Sequence, residues 1–230
     1  MKNHTLTKSI FNISKSICNI VLDTIYPKYC VMCGRMISAN VQYCLCSHCE
    51  AEQLKQRRNI TDKKCGCDEV MSPFKYDGIT RRSMLRFKFK GVKYIGYTFA
   101  RAMADMLSDR AFVDEDCMLI PVPIHISRDR AYNQSEVLAD YISDMTGIPV
   151  CRDAICKIRP IARISGMSHM DKRFYIRDSF HFDARYNFTG KTLIIIDDIY
   201  TSGTTLKEFS DLLRMYGASK VYAVTACVAE

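Results

Sequence analysis

The sequence predicts an α/β protein: a parallel sheet flanked by helices, with a small cysteine-rich, zinc-ribbon-like module at its N-terminal side. Three observations carry that expectation. Short, β-branched apolar runs at 118–122, 193–196 and 221–228 alternate with stretches of helical periodicity. One of those runs leads straight into two aspartates, a small polar turn and a helix: Leu193-Ile194-Ile195-Ile196-Asp197-Asp198-Ile199-Tyr200-Thr201-Ser202-Gly203-Thr204-Thr205-Leu206. And two C-x-x-C pairs, Cys30/Cys33 and Cys46/Cys49, stand twelve residues apart.

Composition narrows the class. A chain of 230 residues builds one good core and a small appendage. The net charge of +8 suits acidic partners: phosphates, nucleic acid or a membrane surface. Residues 1–26 open with polar side chains, and their apolar run is broken by Asn19 and Asp23, with no small-residue cleavage site. No run is long enough to span a bilayer, so no integral membrane segment is expected. The expected location is cytoplasmic, where thiols stay reduced, so the cysteines that cluster up to Cys67 point to metal before disulfides.

From the N-terminus, Ile10, Ile13, Ile17, Val21 and Ile25 recur at helical spacing, and Pro27 stops the pattern. Residues 1–28 are therefore an amphipathic helical segment. Residues 29–70 form the cysteine-rich module. Four thiolates in paired C-x-x-C spacing close a tetrahedral Zn²⁺ site, which is structural because no coordination position stays open. Cys30, Cys33, Cys46 and Cys49 are the expected ligands. Cys44 competes with Cys46 for the third place, and Cys65 and Cys67 are spare or alternative thiols. Residues 50–64 read as an exposed helix or linker.

The main domain is expected over 71–230. Phe74-Lys75-Tyr76-Asp77-Gly78 reads as a strand ending in a turn. A basic stretch follows, with Arg81, Arg82, Arg86, Lys88, Lys90 and Lys93 interleaved with Met84, Leu85, Phe87 and Phe89. It suits an amphipathic helix whose solvated face holds an anion at Lys88 and Lys90. A helix over 94–107 turns Ile95, Phe99, Met103 and Met106 inward. After the 118–122 strand, a loop carries Arg128 and Arg130, whose guanidinium forks match pyrophosphate. Tyr132 or Asn133 there could meet an acceptor base. The next helix is expected to bury Val137, Leu138, Tyr141 and Met145 and to end at Gly147. A third strand falls within 150–158, and Phe180 and Phe182 mark an edge strand. Between them, 159–179 is long, polar and aperiodic, as a lid would be, with His169 and Asp171 available for proton chemistry.

The strand–aspartate–turn stretch holds the most specific chemistry. Carboxylates at the end of a buried parallel strand lie where open α/β sheets bind ligands. The small residues Thr201, Ser202, Gly203, Thr204 and Thr205 can converge their backbone N–H groups on a phosphate at a helix N-terminus. Thr205 and Glu208 have capping-box spacing, and Leu206, Phe209, Leu213 and Tyr216 share a face that Gly217 ends. Asp197 and Asp198 suit ribose hydroxyls, with Mg²⁺ nearby. The turn lacks G-x-x-x-x-G-K-[ST], which excludes a nucleotide P-loop.

In order, the cysteine pairs, F-K-Y-D-G, F-K-F-K-G, P-V-P, R-D-R-A-Y-N-Q and I-I-I-D-D-I-Y-T-S-G-T-T-L resemble the ComF family of competence-associated, phosphoribosyltransferase-like proteins from Tyr26 onward. Ala131 stands where that family usually has Gly, and 160–180 matches poorly. The resemblance implies a type I phosphoribosyltransferase fold, a zinc-binding N-terminal module and a ligand such as phosphoribosyl pyrophosphate (PRPP) with Mg²⁺. It places Asp197, Asp198, Arg128, Arg130 and Lys88 in catalysis. Thr201, Ser202, Gly203, Thr204, Thr205, Lys90 and Asn133 join the acidic pair in holding the ligand. It also implies competence proteins and single-stranded DNA as partners. Two functions follow: phosphoribosyl transfer to an acceptor, or a non-catalytic nucleotide- or DNA-binding adaptor.

Overall fold

The computed structural model describes residues 28–38, 44–60, 65–108, 110–113, 116–124, 132–157 and 180–229. The expected N-terminal helix over 8–25, the arginine loop at 126–131 and the lid segment at 159–179 lie outside the described residues. The chain falls into two compact units, the first ending at Glu52 and the second running Gln53–Glu230.

In the first unit, β1 (Lys28–Tyr29) pairs antiparallel with β2 (Met36–Ile37) across a turn that ends at Gly34. The turn is closed by Gly34 N–H to Cys30 C=O at 2.9 Å and Cys30 N–H to Arg35 C=O at 2.8 Å. Helix α1 (Ser47–Gln56) begins one residue after Cys46.

The second unit is built on a mostly parallel sheet. Its elements are β3 (Arg58–Ile60), β4 (Glu69–Ser72), β5 (Phe74–Lys75), α2 (Gly78–Lys90), α3 (Lys93–Leu107), β6 (Cys117–Pro121), α4 (Gln134–Thr146), β7 (Ile155–Lys157), β8 (Phe180–Phe182), β9 (Thr192–Tyr200), α5 (Thr204–Met215) and β10 (Lys220–Val228). The strand order is β3-β4-β10-β9-β6, with β5 also on β10. Only β3 is antiparallel, on the β4 edge. That edge strand lies where a linker was expected, since Arg58-Asn59-Ile60 has too few apolar residues to signal a strand. The other expected strands are present, although 150–158 contributes only the short β7. It pairs antiparallel with β8 in a separate ribbon.

β9 and β10 are long and apolar because they are covered on both faces. Leu193 and Ile195 belong to one cluster with Leu206, Phe209, Leu212 and Leu213 of α5 and with Val221 and Ala223 of β10. By the two-residue alternation of a strand, the equally buried Ile194 and Ile196 face the other way. On α3, Ile95, Phe99, Met103 and Met106 are all buried as expected. Helix α4 differs from the expected face. It buries Gln134, Ser135, Leu138, Ala139 and Ile142, while Val137, Tyr141 and Met145 are half-buried. The helix is rotated by about one residue because polar side chains occupy the first turn of its inner face, and Tyr141 packs edge-on against Tyr97 at 5.5 Å. Gly96 lets α2 approach α3: a Cβ there would lie 2.7 Å from the ring of the fully buried Phe87.

Connections leave β6 and β9 in opposite directions. From β6 the chain passes through α4 to Val150, which bridges to Leu119 on the outer side of β6. From β9 it passes through α5 to β10 on the inner side. The carboxyl ends of β6 and β9 thus flank a topological switch point, where doubly wound sheets open a crevice.

Candidate functional site

The crevice is bounded by where strand pairing stops. β6 pairs with β9 only as far as Pro121 opposite Ile196, while β10 follows β9 through Tyr200. Asp197 and Asp198 are therefore inside β9, which runs on to Tyr200, and not at its carboxyl end as the sequence suggests. They stand at the carboxyl end of the β6–β9 pairing, one and two residues beyond the last β6 partner, Ile196.

Lysine and serine reach the pair from two helices. Lys88, in the last turn of α2, places Nζ 2.7 Å from Asp198 Oδ2, with both side chains largely buried. Ser135 Oγ, in the first turn of α4, donates to Asp197 Oδ1 at 3.2 Å. The Asp198 backbone N–H donates to that same oxygen at 2.8 Å. Burial pushes the Asp197 carboxyl up to about 7, and the neighbouring Asp198 charge adds to the rise; the Asp198 N–H, Lys88 and Ser135 oppose it.

The expected anion turn follows. Gly203 has φ +73° and caps α5, so the helix starts at Thr204. A Cβ at Gly203 would lie 2.7 Å from the Tyr200 hydroxyl, so both the backbone angle and the space call for glycine. The N–H groups of the first turn have no partner inside the helix. Thr201, Ser202, Thr204 and Thr205 are exposed around them, and the Ser202 and Thr204 hydroxyls lie 2.9 Å apart. The capping box expected of Thr205 and Glu208 does not form. Thr205 is already the second residue of the helix, and Gly203 holds the capping place.

Asn133 is committed to the fold. Its Oδ1 accepts the Ser135 N–H at 3.0 Å, and its Nδ2 donates to the Val122 C=O at 3.1 Å and to Glu136 Oε1 at 3.0 Å. Lys90 ends α2 exposed to solvent. Arg128 and Arg130 lie outside the described residues. The structure thus brings Lys88, Asp197 and Asp198 together, at the strand end that runs on into the Thr201–Thr205 turn.

A family model for the phosphoribosyl transferase domain matches residues 88–229. The chain belongs to that family. Competence protein F of Haemophilus influenzae is 27% identical over 199 residues, covering 84% of this chain and 81% of its own length. Competence protein ComFC of Bacillus subtilis is 26% identical over 192 residues, with 82% and 72% covered. Within the phosphoribosyl transferase family the chain is therefore a ComF-type, phosphoribosyltransferase-like protein. A solved hypoxanthine phosphoribosyltransferase from Staphylococcus aureus aligns at 14% identity and a TM-score of 0.38, over 56% of this chain and 61% of that one. At that score the likeness adds nothing to the fold drawn from the sheet itself.

The ComF-type chain also carries the cysteine cluster. The thiols of Cys30, Cys33, Cys46 and Cys49 all lie within 4.8 Å of one another and could hold a structural metal such as zinc. The 3.7 Å between the Cys33 and Cys46 sulfurs matches the edge of a tetrahedron with Zn–S of about 2.3 Å. Burial alone would raise the Cys46 thiol, but hydrogen bonds with the Cys49 backbone and with neighbouring thiols bring it down to about 7. Cys44 is outside the cluster, with φ +53° and its carbonyl accepting the Val31 N–H at 2.8 Å. Cys65 and Cys67 lie in the second unit. Cys65 is buried beside Gly203, and the backbone between the two cysteines accepts the Ser210 hydroxyl on α5 at 2.8 Å.

Sequence reasoning missed Ser135 as a neighbour of the acidic pair, and missed the direct pairing of Lys88 with Asp198. The R-D-R-A-Y-N-Q motif ends one residue short of Ser135, so no signal short of the topology marked it. No helix among the described residues is long and apolar enough to cross a membrane.

Proposed function

We propose that the strand-end crevice binds PRPP, or a ribose 5-phosphate of similar shape, together with Mg²⁺, and transfers the phosphoribosyl group to an acceptor. The observation that carries this reading is the pair Asp197–Asp198 beside Lys88, immediately before the Gly203 turn and the α5 N-terminus. The turn offers N–H donors to a 5-phosphate. The two carboxylates offer acceptors to the ribose hydroxyls, and Asp197, with its carboxyl near 7, can also donate. Bound with PRPP, Mg²⁺ would neutralise pyrophosphate charge, a role suited to a hard oxygen-rich site. Lys88 is placed to exchange its carboxylate partner for the departing pyrophosphate. From the sequence pattern, Arg128 and Arg130 join it there. Cys30, Cys33, Cys46 and Cys49 hold zinc in a closed site that stabilises the first unit.

The ligand is tested by calorimetric titration of Mg²⁺–PRPP into the full chain and into the double variant Asp197→Asn/Asp198→Asn. The proposal expects saturable binding by the wild type and at least a tenfold loss in the variant. Equal binding by both proteins would remove the acidic pair from the site.

The competence names of the relatives suggest a setting in DNA uptake, with competence proteins as partners. One surface feature favours a second reading, a nucleotide- or single-stranded-DNA-binding adaptor. Phe89 and Tyr94, each 56% exposed, flank the short α2–α3 turn together with Lys90 and Lys93. Exposed aromatic rings among cations are what base stacking requires. That reading expects binding to a single-stranded oligonucleotide that weakens steeply with salt; salt-insensitive binding would count against it.

A further inference from the structure

We infer that Gln134 and Ser135 are positioning residues for the lysine and the acidic pair of the crevice. The inference rests on reading that strand end as the ligand site. Four consecutive side chains reach four separate anchors. The Tyr132 hydroxyl donates to the Phe87 carbonyl. Asn133 donates to the Val122 carbonyl at 3.1 Å, at the end of β6. Gln134 Nε2 donates to the Lys88 carbonyl at 3.1 Å, and Ser135 Oγ to Asp197 at 3.2 Å.

Capping α4 needs only the first of these amides, since Asn133 alone accepts the Ser135 N–H. The remaining contacts do other work. The Phe87 and Lys88 carbonyls belong to the last turn of α2, where carbonyls have no partner within the helix. Gln134 satisfies the carbonyl of the very residue whose Nζ meets Asp198. It therefore fixes the backbone from which Lys88 reaches into the crevice. Gln134 and Ser135 are 1% and 2% exposed. Buried polar side chains cost desolvation that an apolar pair would avoid, so packing α4 on its neighbours does not call for them. Their hydrogen bonds converge on Lys88 and Asp197.

Asp197 is faced by Asp198 on its own strand, by Lys88 from α2 and by the Ser135 hydroxyl from α4. On β10, the Cys227 thiol is within electrostatic reach of Asp198 and Lys88, and of Asp77 at the start of α2. Glu136 of α4 is engaged by Asn133. Lys88 and the Ser135 hydroxyl both favour the ionised Asp197 carboxyl, so loss of either positioning contact makes that carboxyl harder to ionise.

The test is a ¹³C NMR titration of the Asp197 carboxyl in the full chain, without ligand. Ser135→Ala is expected to raise the midpoint by about half a pH unit or more, and Ser135→Thr to restore it. Gln134→Leu, which keeps the side-chain volume, is expected to raise it as well, by letting Lys88 drift from Asp198. If Gln134→Leu fails to fold, Gln134→Met serves the same purpose. A folded Ser135→Ala protein with the wild-type midpoint would overturn the inference, as would failure of Ser135→Thr to restore it. Because no ligand is used, a wild type that binds no PRPP would retire the ribose-phosphate reading and leave the positioning role standing.

Discussion

The cysteine cluster and the strand-end crevice each centre on a short sequence motif, but they are held in place by different physics. The four thiols gather in a unit with few apolar side chains: Val31, Met32, Ile37 and Leu45 are its buried hydrophobic residues among those described, cysteines aside. On the proposed reading, such a unit takes its order from a metal. The crevice is assembled by the sheet. β6, β9, α2 and α4 each deliver one part, and the apolar packing beneath them does not depend on any ligand. A site can therefore be local in sequence and dependent on an ion, or dispersed in sequence and preformed by the fold.

Removing the metal should separate the two most sharply. Chelation, or Cys46→Ser, is expected to unfold residues 28–52, because the metal contributes on the order of 10 kcal/mol to such knuckles. Amide hydrogen exchange should report loss of protection there, while protection of β9 and β10 persists. Cys44→Ser should leave metal stoichiometry unchanged, since Cys44 stands outside the cluster.

Within the crevice, Lys88→Met comes next in size. It leaves the buried Asp198 carboxylate without its cation, and urea unfolding should show a loss of about 2–4 kcal/mol. Adding Asp198→Asn should return most of it. Gly203→Ala is expected to cost about 1–3 kcal/mol, from the left-handed backbone angle and the crowded Tyr200 hydroxyl, and to weaken Mg²⁺–PRPP binding at least tenfold. Tyr200→Phe in the same chain would relieve only the crowding.

A further expected effect is a pH dependence. The Asp197 carboxyl rises from 3.8 to about 7 on folding, so the folded protein keeps a proton that the unfolded chain has released. Stability is then fully present below about pH 4 and is lost as pH climbs through about 7. Thermal unfolding of Asp197→Asn across that window should be flatter than wild type, and the variant should be the more stable of the two above pH 7.

The same contrast explains what could be read in the sequence. The paired C-x-x-C spacing made the cysteine cluster legible but left Cys44 and Cys46 as alternatives, which the structure separates by backbone geometry that no spacing encodes. The strand, aspartates, turn and helix at 193–215 were legible because their residues are consecutive. Lys88 was legible as an anion-seeking side chain but not as the partner of Asp198, which is 110 residues away in sequence. Ser135 gave no signal, because its role depends on where α4 meets the end of β6. The inner face of α4 was misjudged for the same reason: Gln134 and Ser135 look like surface residues until their partners are in view. The capping box at Thr205 failed because Gly203, in a left-handed conformation, starts the helix earlier than side-chain preferences suggest.

The most direct test of the account is a crystal structure of the full chain with Mg²⁺ and PRPP. The account predicts the 5-phosphate on the backbone N–H groups of the Thr201–Thr205 turn, with the ribose hydroxyls on Asp197 and Asp198. PRPP bound elsewhere, or an empty crevice at saturating ligand in a protein whose cysteine cluster holds its metal, would contradict it.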